Sequence, residues 1–380
     1  MKLRRSNLIQ LSANLVFLFL FTSCKKEITP IPETPKSYDV INTGTVLDTQ
    51  IGKYKAASWK NETLVPLQSI DNEETGAYGI AVNNKKIYIA GFYAENDKMH
   101  PCYWVDGIQK KFILDKNSYA RGTALDMAWL GSKLYILGSI DLAPVMWIVQ
   151  DLQIVETIVL PTLTNSVPEN LTSSSRLYLK GDKLYLGAAQ QIALSNGQFS
   201  YDVGYWTITG SKMVTYTSLQ SGLAHARAWS IVALQNEVVL SGESLGKDGV
   251  SRATVWGNKG QFSAAGKLDP SKQRIGAITA DQEGNIHAMV SNAMFEPEIA
   301  SLSIHNYDAL RLSKPVIPAG AKGNIKSIDF NEQLIYSCSY TLNNRFYGAY
   351  WFNNKQYNLE VADRYASYVN LTSIKLVVKD

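Results

Sequence analysis

The sequence predicts an all-β protein, a single closed β-propeller of seven four-stranded blades over residues 43–380. Three observations predict it. A bulky residue recurs at Trp59, Trp104, Trp147, Trp206, Trp256, Ile304 and Trp351, roughly 43 to 59 residues apart, the period of a propeller blade. Between these markers, short runs rich in Val, Ile, Tyr and Trp alternate with tight polar turns, and no convincing amphipathic helix interrupts them. The chain also opens with strands that lack a first member and ends on a strand that lacks followers.

The elements follow in order. Lys2, Arg4 and Arg5 form a positive stretch, and the apolar run Leu15 to Phe21 after it is too short to span a bilayer. Thr22-Ser23-Cys24 then resembles a bacterial lipobox, although Phe21 stands where leucine is usual. Residues 1–23 are therefore expected to be a signal peptide, with Cys24 as the lipidated residue; a plain secretory signal with a chance cysteine is the other reading. Residues 24–42 hold a charged patch and three prolines, the composition of an extended tether.

Six units come next. GIAVNNKKIYIAGFY with PCYWVDGIQKKFIL shows the pattern, and ALDMAWLGSKLYILGSI with APVMWIVQDLQIVETIVL repeats it. Each unit reads as strands a, b, c and d, with the marker tryptophan on c. At the N-terminal end, GTVLDTQIG, KYKAASWKN and ETLVPL supply strands b, c and d only. The C-terminal TSIKLVV reads as a lone strand a, so the two ends complete a seventh blade and leave no open edge.

The units resemble the YW-x-x-G β-propeller repeats of bacterial secreted proteins and lipoproteins. Ile87 to Gly91 with Tyr103 to Gly107, and Leu134 to Gly138 with Met146-Trp147, carry the likeness. Cys24 followed by Lys25-Lys26-Glu27 and a Pro-rich tether resembles outer-membrane lipoproteins of Bacteroidota. The resemblance implies a propeller and an envelope address, with the membrane reached through the N-terminal lipid. It implies no particular activity.

Composition narrows the function classes. There are 37 basic and 33 acidic residues, and losing Lys2, Arg4 and Arg5 with the signal leaves 34 against 33. A nearly neutral body has no broad electrostatic reason to bind nucleic acid. Only Cys102 and Cys338 remain besides Cys24, far apart in the repeat scheme, and both read as small buried hydrophobes. His100 and His225 fall in expected loops, His287 on a b strand and His305 at a c–d turn, none in a metal-binding spacing. No phosphate loop, calcium loop or nucleophile elbow appears, so no cofactor and no metal is expected.

The periodic tryptophans read as inter-blade core rather than sugar-stacking platforms. Trp129 and Trp229 fall outside the register, on or near strand a, and are candidates for the channel wall. The a–b and c–d turns are short, whereas segments 94–100, 161–175, 190–202 and 243–252 read as long loops on the opposite, b–c/d–a face. Arg121, Arg176, Arg227 and Arg274 gather near strand a on that face and could converge on an acidic group, though four solvated arginines would look the same. The function expected is a non-catalytic envelope module that binds a glycan, a peptide or an envelope partner. The alternatives are a polysaccharide-acting enzyme with carboxylates at the channel mouth, for which Glu243, Glu296 and Asp329 are candidates supported by charge alone, and a structural subunit of an envelope complex.

Overall fold

The structure is a computed structural model that describes residues 36–69, 73–112, 114, 119, 121–168, 171, 175–210, 214–245, 248–258, 260–263, 272–292, 297–302, 309–313, 321–365 and 368–379. At residues 167–168, 260–263, 272–274, 291–292, 297–302, 309–313 and 324–326 the backbone alone is described. Asn and Asp at the turns set the hairpins. Asn84-Lys85, Asn96-Asp97, Asp141-Leu142, Asp151-Leu152, Asn343-Asn344 and Asn353-Asn354 each place two successive residues at positive φ, between 45° and 73°. Such two-residue turns match the twist of the strands they join, and Asn and Asp tolerate that backbone best after glycine.

Among the described residues, seven sheets result. Six are built from consecutive strands, as in Thr75–Asn83, Lys86–Glu95, Lys98–Val105 and Ile108–Lys111. The seventh draws on both ends of the chain, in the order Val369–Val378, Tyr38–Asp48, Lys53–Lys60, Thr63–Val65. Val40 there faces Leu376, and Val46 faces Val369. This strand starts at Tyr38, inside the segment expected to be tether, because Val40 and Ile41 are buried against the closing strand. Each blade's first strand touches those of the blades on both sides, and Val369–Val378 meets both Lys322–Asn331 and Thr75–Asn83. The chain is thus a closed β-propeller whose a strands surround a central bore.

The tryptophans hold the blades together. Trp59, Trp104, Trp147, Trp206, Trp256 and Trp351 are all buried; Ile304 lies outside the described residues. The Nε1–H of Trp59 donates to the Glu360 carbonyl, Trp104 to Gln68 and Trp206 to Pro161, at 2.7–2.8 Å. Trp256 donates to Gln220 Oε1 at 3.1 Å. Each acceptor lies in the preceding blade, on or just after its outer strand. One side chain thereby fills the space between two blades and bonds across it. An indole removes about 150–250 Å² from water, roughly 4–6 kcal/mol by area before entropy is counted.

The long loops expected on the b–c face are partly strand. Segment 94–100 turns tightly at Asn96-Asp97 between paired strands. Segment 190–202 extends the hairpin of Lys183–Ala193 with Phe199–Thr209, and 243–252 carries the ends of Val238–Leu245 and Ser251–Gly257. Within 161–175, Ser166–Pro168 pairs with the far end of Lys183–Ala193. These hairpins project beyond the core, so their outer ends lose apolar alternation and read as loop.

Candidate functional site

A β-bulge in strand a shapes the bore. The a–b register shifts between Ala77 and Ile80, Ala124 and Asp126, Ala228 and Ser230, Ile275 and Ile278, and Ile325 and Ser327. A bulge re-aims the side chain that follows it. At three of the five, that residue bonds to the next blade. Asp126 Oδ2 accepts from Leu177 N at 2.7 Å, Ser230 Oγ from Ile278 N at 3.2 Å, and Ser327 Oγ from Ile374 N at 3.1 Å. Gly79 makes room for Asp126, since a Cβ there would fall 2.5 Å from the Asp126 Cα.

Between the bulges and the a–b turns, the bore holds a cavity of about 390 Å³. Four charged residues line it. Asp126 and Arg176 stand on neighbouring blades. Asp329 and Lys375 stand on another neighbouring pair, across the ring from the first. Lys375 Nζ donates to Asp329 Oδ1 at 3.1 Å, and Leu376 N donates to Asp329 Oδ2 at 3.1 Å. Lys375 keeps 43% of its side-chain surface open and Asp329 keeps 14%, so the pair is reachable from the cavity.

Arg176 closes the other end. In its blade the a position is split between Ser166–Pro168 and Leu177–Lys180, and Arg176 stands just before the second piece. Its guanidinium reaches over the bore and donates to the Thr372 carbonyl, three places away in a ring of seven blades, and to the Ser175 carbonyl at 3.0 Å. The cavity is therefore floored by Arg176 in the middle of the bore.

The electrostatics follow from this enclosure. Burial pushes the Asp126 carboxyl above its ordinary pKa, and Arg176 beside it works against that push. Burial lowers the Arg176 pKa, opposed by Asp126, but a guanidinium starts so high that it stays charged. Asp329 holds the Lys375 ammonium above its ordinary value. Trp129, Tyr178 and Phe330 add aromatic surface to the cavity wall.

Of the residues expected to form a site, Arg176 and Trp129 come together in this cavity. Arg121 does not: it is exposed, and its backbone N–H bonds to Asp141 Oδ1 at 2.8 Å. Arg227 is tied to Glu243 on the adjacent strand, Nη1 to Oε1 3.3 Å. Trp229 sits on the bulge before Ser230, half-buried and outside the cavity wall. The Arg274 side chain, Glu296, His305 and Cys24 lie outside the described residues. The physical reason is register. Arg121 and Arg227 stand before their bulges, towards the b–c face, whereas the cavity occupies the half of the bore nearer the a–b turns.

Asp126, Lys375 and Tyr178 escaped the sequence reading, although Asp329 was a candidate carboxylate. The available signal was a charge inside an otherwise apolar a strand, as in ALDMAW and SIKLVV. His100, expected in a loop, is buried in Lys98–Val105, with Nδ1 2.9 Å from the Tyr119 hydroxyl. Cys102 and Cys338 are both buried. Among the described residues, no group of three or more His, Cys, Asp or Glu is placed to hold a metal ion.

No protein-family model matches the chain, and no curated protein matches it either. Solved structures do. A puromycin-hydrolyzing peptidase of Mycobacterium tuberculosis aligns over 85% of this chain at TM-score 0.58 and 9% identity. The match takes in 54% of the peptidase, so the chain spans about half that enzyme's length. At such identity the likeness shows the fold alone. Drosophila Semaphorin 1a matches over 81% of this chain and 88% of its own at TM-score 0.42 and 8% identity. A GH43 endo-arabinanase of Bacillus licheniformis matches over 67% of this chain and 93% of its own at TM-score 0.33 and 13% identity. Neither reaches the similarity needed to carry an argument.

Proposed function

We propose that this propeller is a non-catalytic binding module of the bacterial cell envelope, held at the outer membrane by a lipid on Cys24, with its ligand seated in the bore. One observation carries the reading: a preformed polar cavity whose charged groups are already engaged with the protein. Asp126 and Asp329 each accept a backbone N–H from the next blade, and each faces a cation. Carboxylates fixed in this way suit recognition better than proton transfer or nucleophilic attack, which need a group free to change its bonds. At about 390 Å³ the cavity fits a small molecule or one terminal group of a larger one. Entry is from the a–b turn face, because Arg176 bars the other end.

A second reading has its own support, since two carboxylates on opposite walls, one pushed up by burial, are the ingredients of a glycosidase. One experiment separates the two. Purified protein is screened by thermal shift against glycans, peptides and small polar metabolites, and every hit is assayed for turnover. The expected result is saturable binding with the hit recovered intact. Turnover that disappears in Asp126→Asn would instead establish the enzyme. For the anchor, mass spectrometry of the mature N-terminus should find acylated Cys24, and Cys24→Ala should free the protein from membranes; a mature chain cut elsewhere, with an unmodified thiol, sinks that part.

A further inference from the structure

We infer that the ligand of the bore cavity is a small zwitterion, a molecule with a carboxylate and an ammonium group a few bonds apart. The inference rests on the binding-module reading and adds the chemical class to it. The cavity wall carries two cations, Arg176 and Lys375, and two anions, Asp126 and Asp329. Asp329 is bonded to Lys375 on one wall, and Asp126 lies beside Arg176, whose guanidinium crosses the bore to the Thr372 carbonyl. A lone anion drawn to Lys375 and Arg176 would also be buried against two carboxylates. A lone cation would meet two basic groups. Either way the ligand brings an unbalanced charge into a site that holds as many carboxyl groups as cations, and burying an unbalanced charge is costly. A zwitterion adds no net charge and presents the complementary sign to each member of the two pairs.

The details fit both ends of such a ligand. The Lys375 ammonium carries three N–H donors, and its bond to Asp329 uses one. Asp329 holds that ammonium protonated, so the acceptor end of a ligand meets a permanent cation. Ser373 adds a hydroxyl beside Lys375 on the same strand. For the ammonium end, Asp126 and Asp329 offer carboxylate oxygens, and Trp129, Tyr178 and Phe330 border the same space. Aromatic faces attract cations, which favours an amine over a second polar neutral group.

The test reads spacing as well as class. Wild-type protein is titrated by calorimetry and thermal shift with β-alanine, 4-aminobutyrate and 5-aminopentanoate, which separate the two charges by increasing lengths. Acetate, methylammonium and glucose serve as single-charge and neutral probes. One ω-amino acid should bind at least tenfold more tightly than any of the three controls. The double variant Lys375→Met/Asp329→Asn removes both charges of one pair together, and the amide oxygen that replaces the carboxylate can still accept the Leu376 N–H. It should lose at least tenfold in affinity while melting close to wild type. If that variant does not fold, Lys375→Gln alone gives the same reading. Unchanged affinity in the folded variant overturns the site. If glucose, acetate or methylammonium binds and no ω-amino acid does, the zwitterion falls and the binding module stands. If neither this panel nor the glycan and peptide screen gives a ligand, both fall.

Discussion

Asn42 occupies a position that is apolar or aromatic in the other blades where it is described. It lies on the b strand opposite Trp59, as Ile89 lies opposite Trp104, Ile136 opposite Trp147, Leu186 opposite Trp206 and Leu240 opposite Trp256. Asn42 is fully buried, and neither atom of its amide has a hydrogen-bond partner. A buried polar group without a partner costs about 1–3 kcal/mol. Asn42→Leu restores the repeat pattern and should raise unfolding stability by about that amount, read as a higher urea midpoint with an unchanged slope. A midpoint at or below wild type would mean the amide is satisfied in solution. Single residues of this kind were poorly legible in the sequence. The tryptophan stripe was readable because it recurs and its reason is local, a large side chain between two blades. Asp126 and Lys375 matter through what they meet across the bore, and no spacing along the chain encodes that meeting.

Among the strands, Val369–Val378 is the one that closes the ring. It is the inner strand of its blade, it bonds along Tyr38–Val46, and its backbone N–H groups at Leu371, Ile374 and Leu376 donate to Ser339, Ser327 and Asp329 of the preceding blade. Thr372 Oγ1 donates to the Ala77 carbonyl of the following blade at 2.8 Å. A chain ending at Tyr368 leaves these partners unmatched. At about 1–3 kcal/mol for each buried group, the loss exceeds a typical stability of 5–15 kcal/mol. The truncated protein should lack a cooperative melt and regain one when a peptide of residues 369–379 is added; a truncated chain that melts like the full one would show that the ring does not depend on this strand. Strand type and order were legible from alternation and turn residues. The b–c hairpins were not, because beyond the core both faces of a hairpin meet water and period-two patterning fades, as at Gln191 to Ala193 and Phe199 to Tyr201.

At the scale of the whole molecule, the repeat and its closure were visible in the sequence, whereas the face carrying the cavity was not. The blade topology makes the a–b and b–c ends distinguishable, but what opens or blocks the bore is decided by Arg176 reaching to Thr372 from another blade. Loop length says nothing of the cavity, which lies on the short-turn face. The closure also has a mechanical side. The strand Tyr38–Asp48, where the first 37 residues join the propeller, is interior to its sheet, flanked by Val369–Val378 on one side and Lys53–Lys60 on the other. A pull at residue 38 directed along that strand loads both of its neighbours. Its backbone bonds to both neighbours, from Tyr38↔Val378 to Val46↔Val369 and from Ile41↔Lys60 to Asp48↔Lys53, then share the load in shear instead of opening one after another. An edge strand at this junction would peel. A strand clamped on both sides therefore resists a pull along its own axis better than an edge strand would.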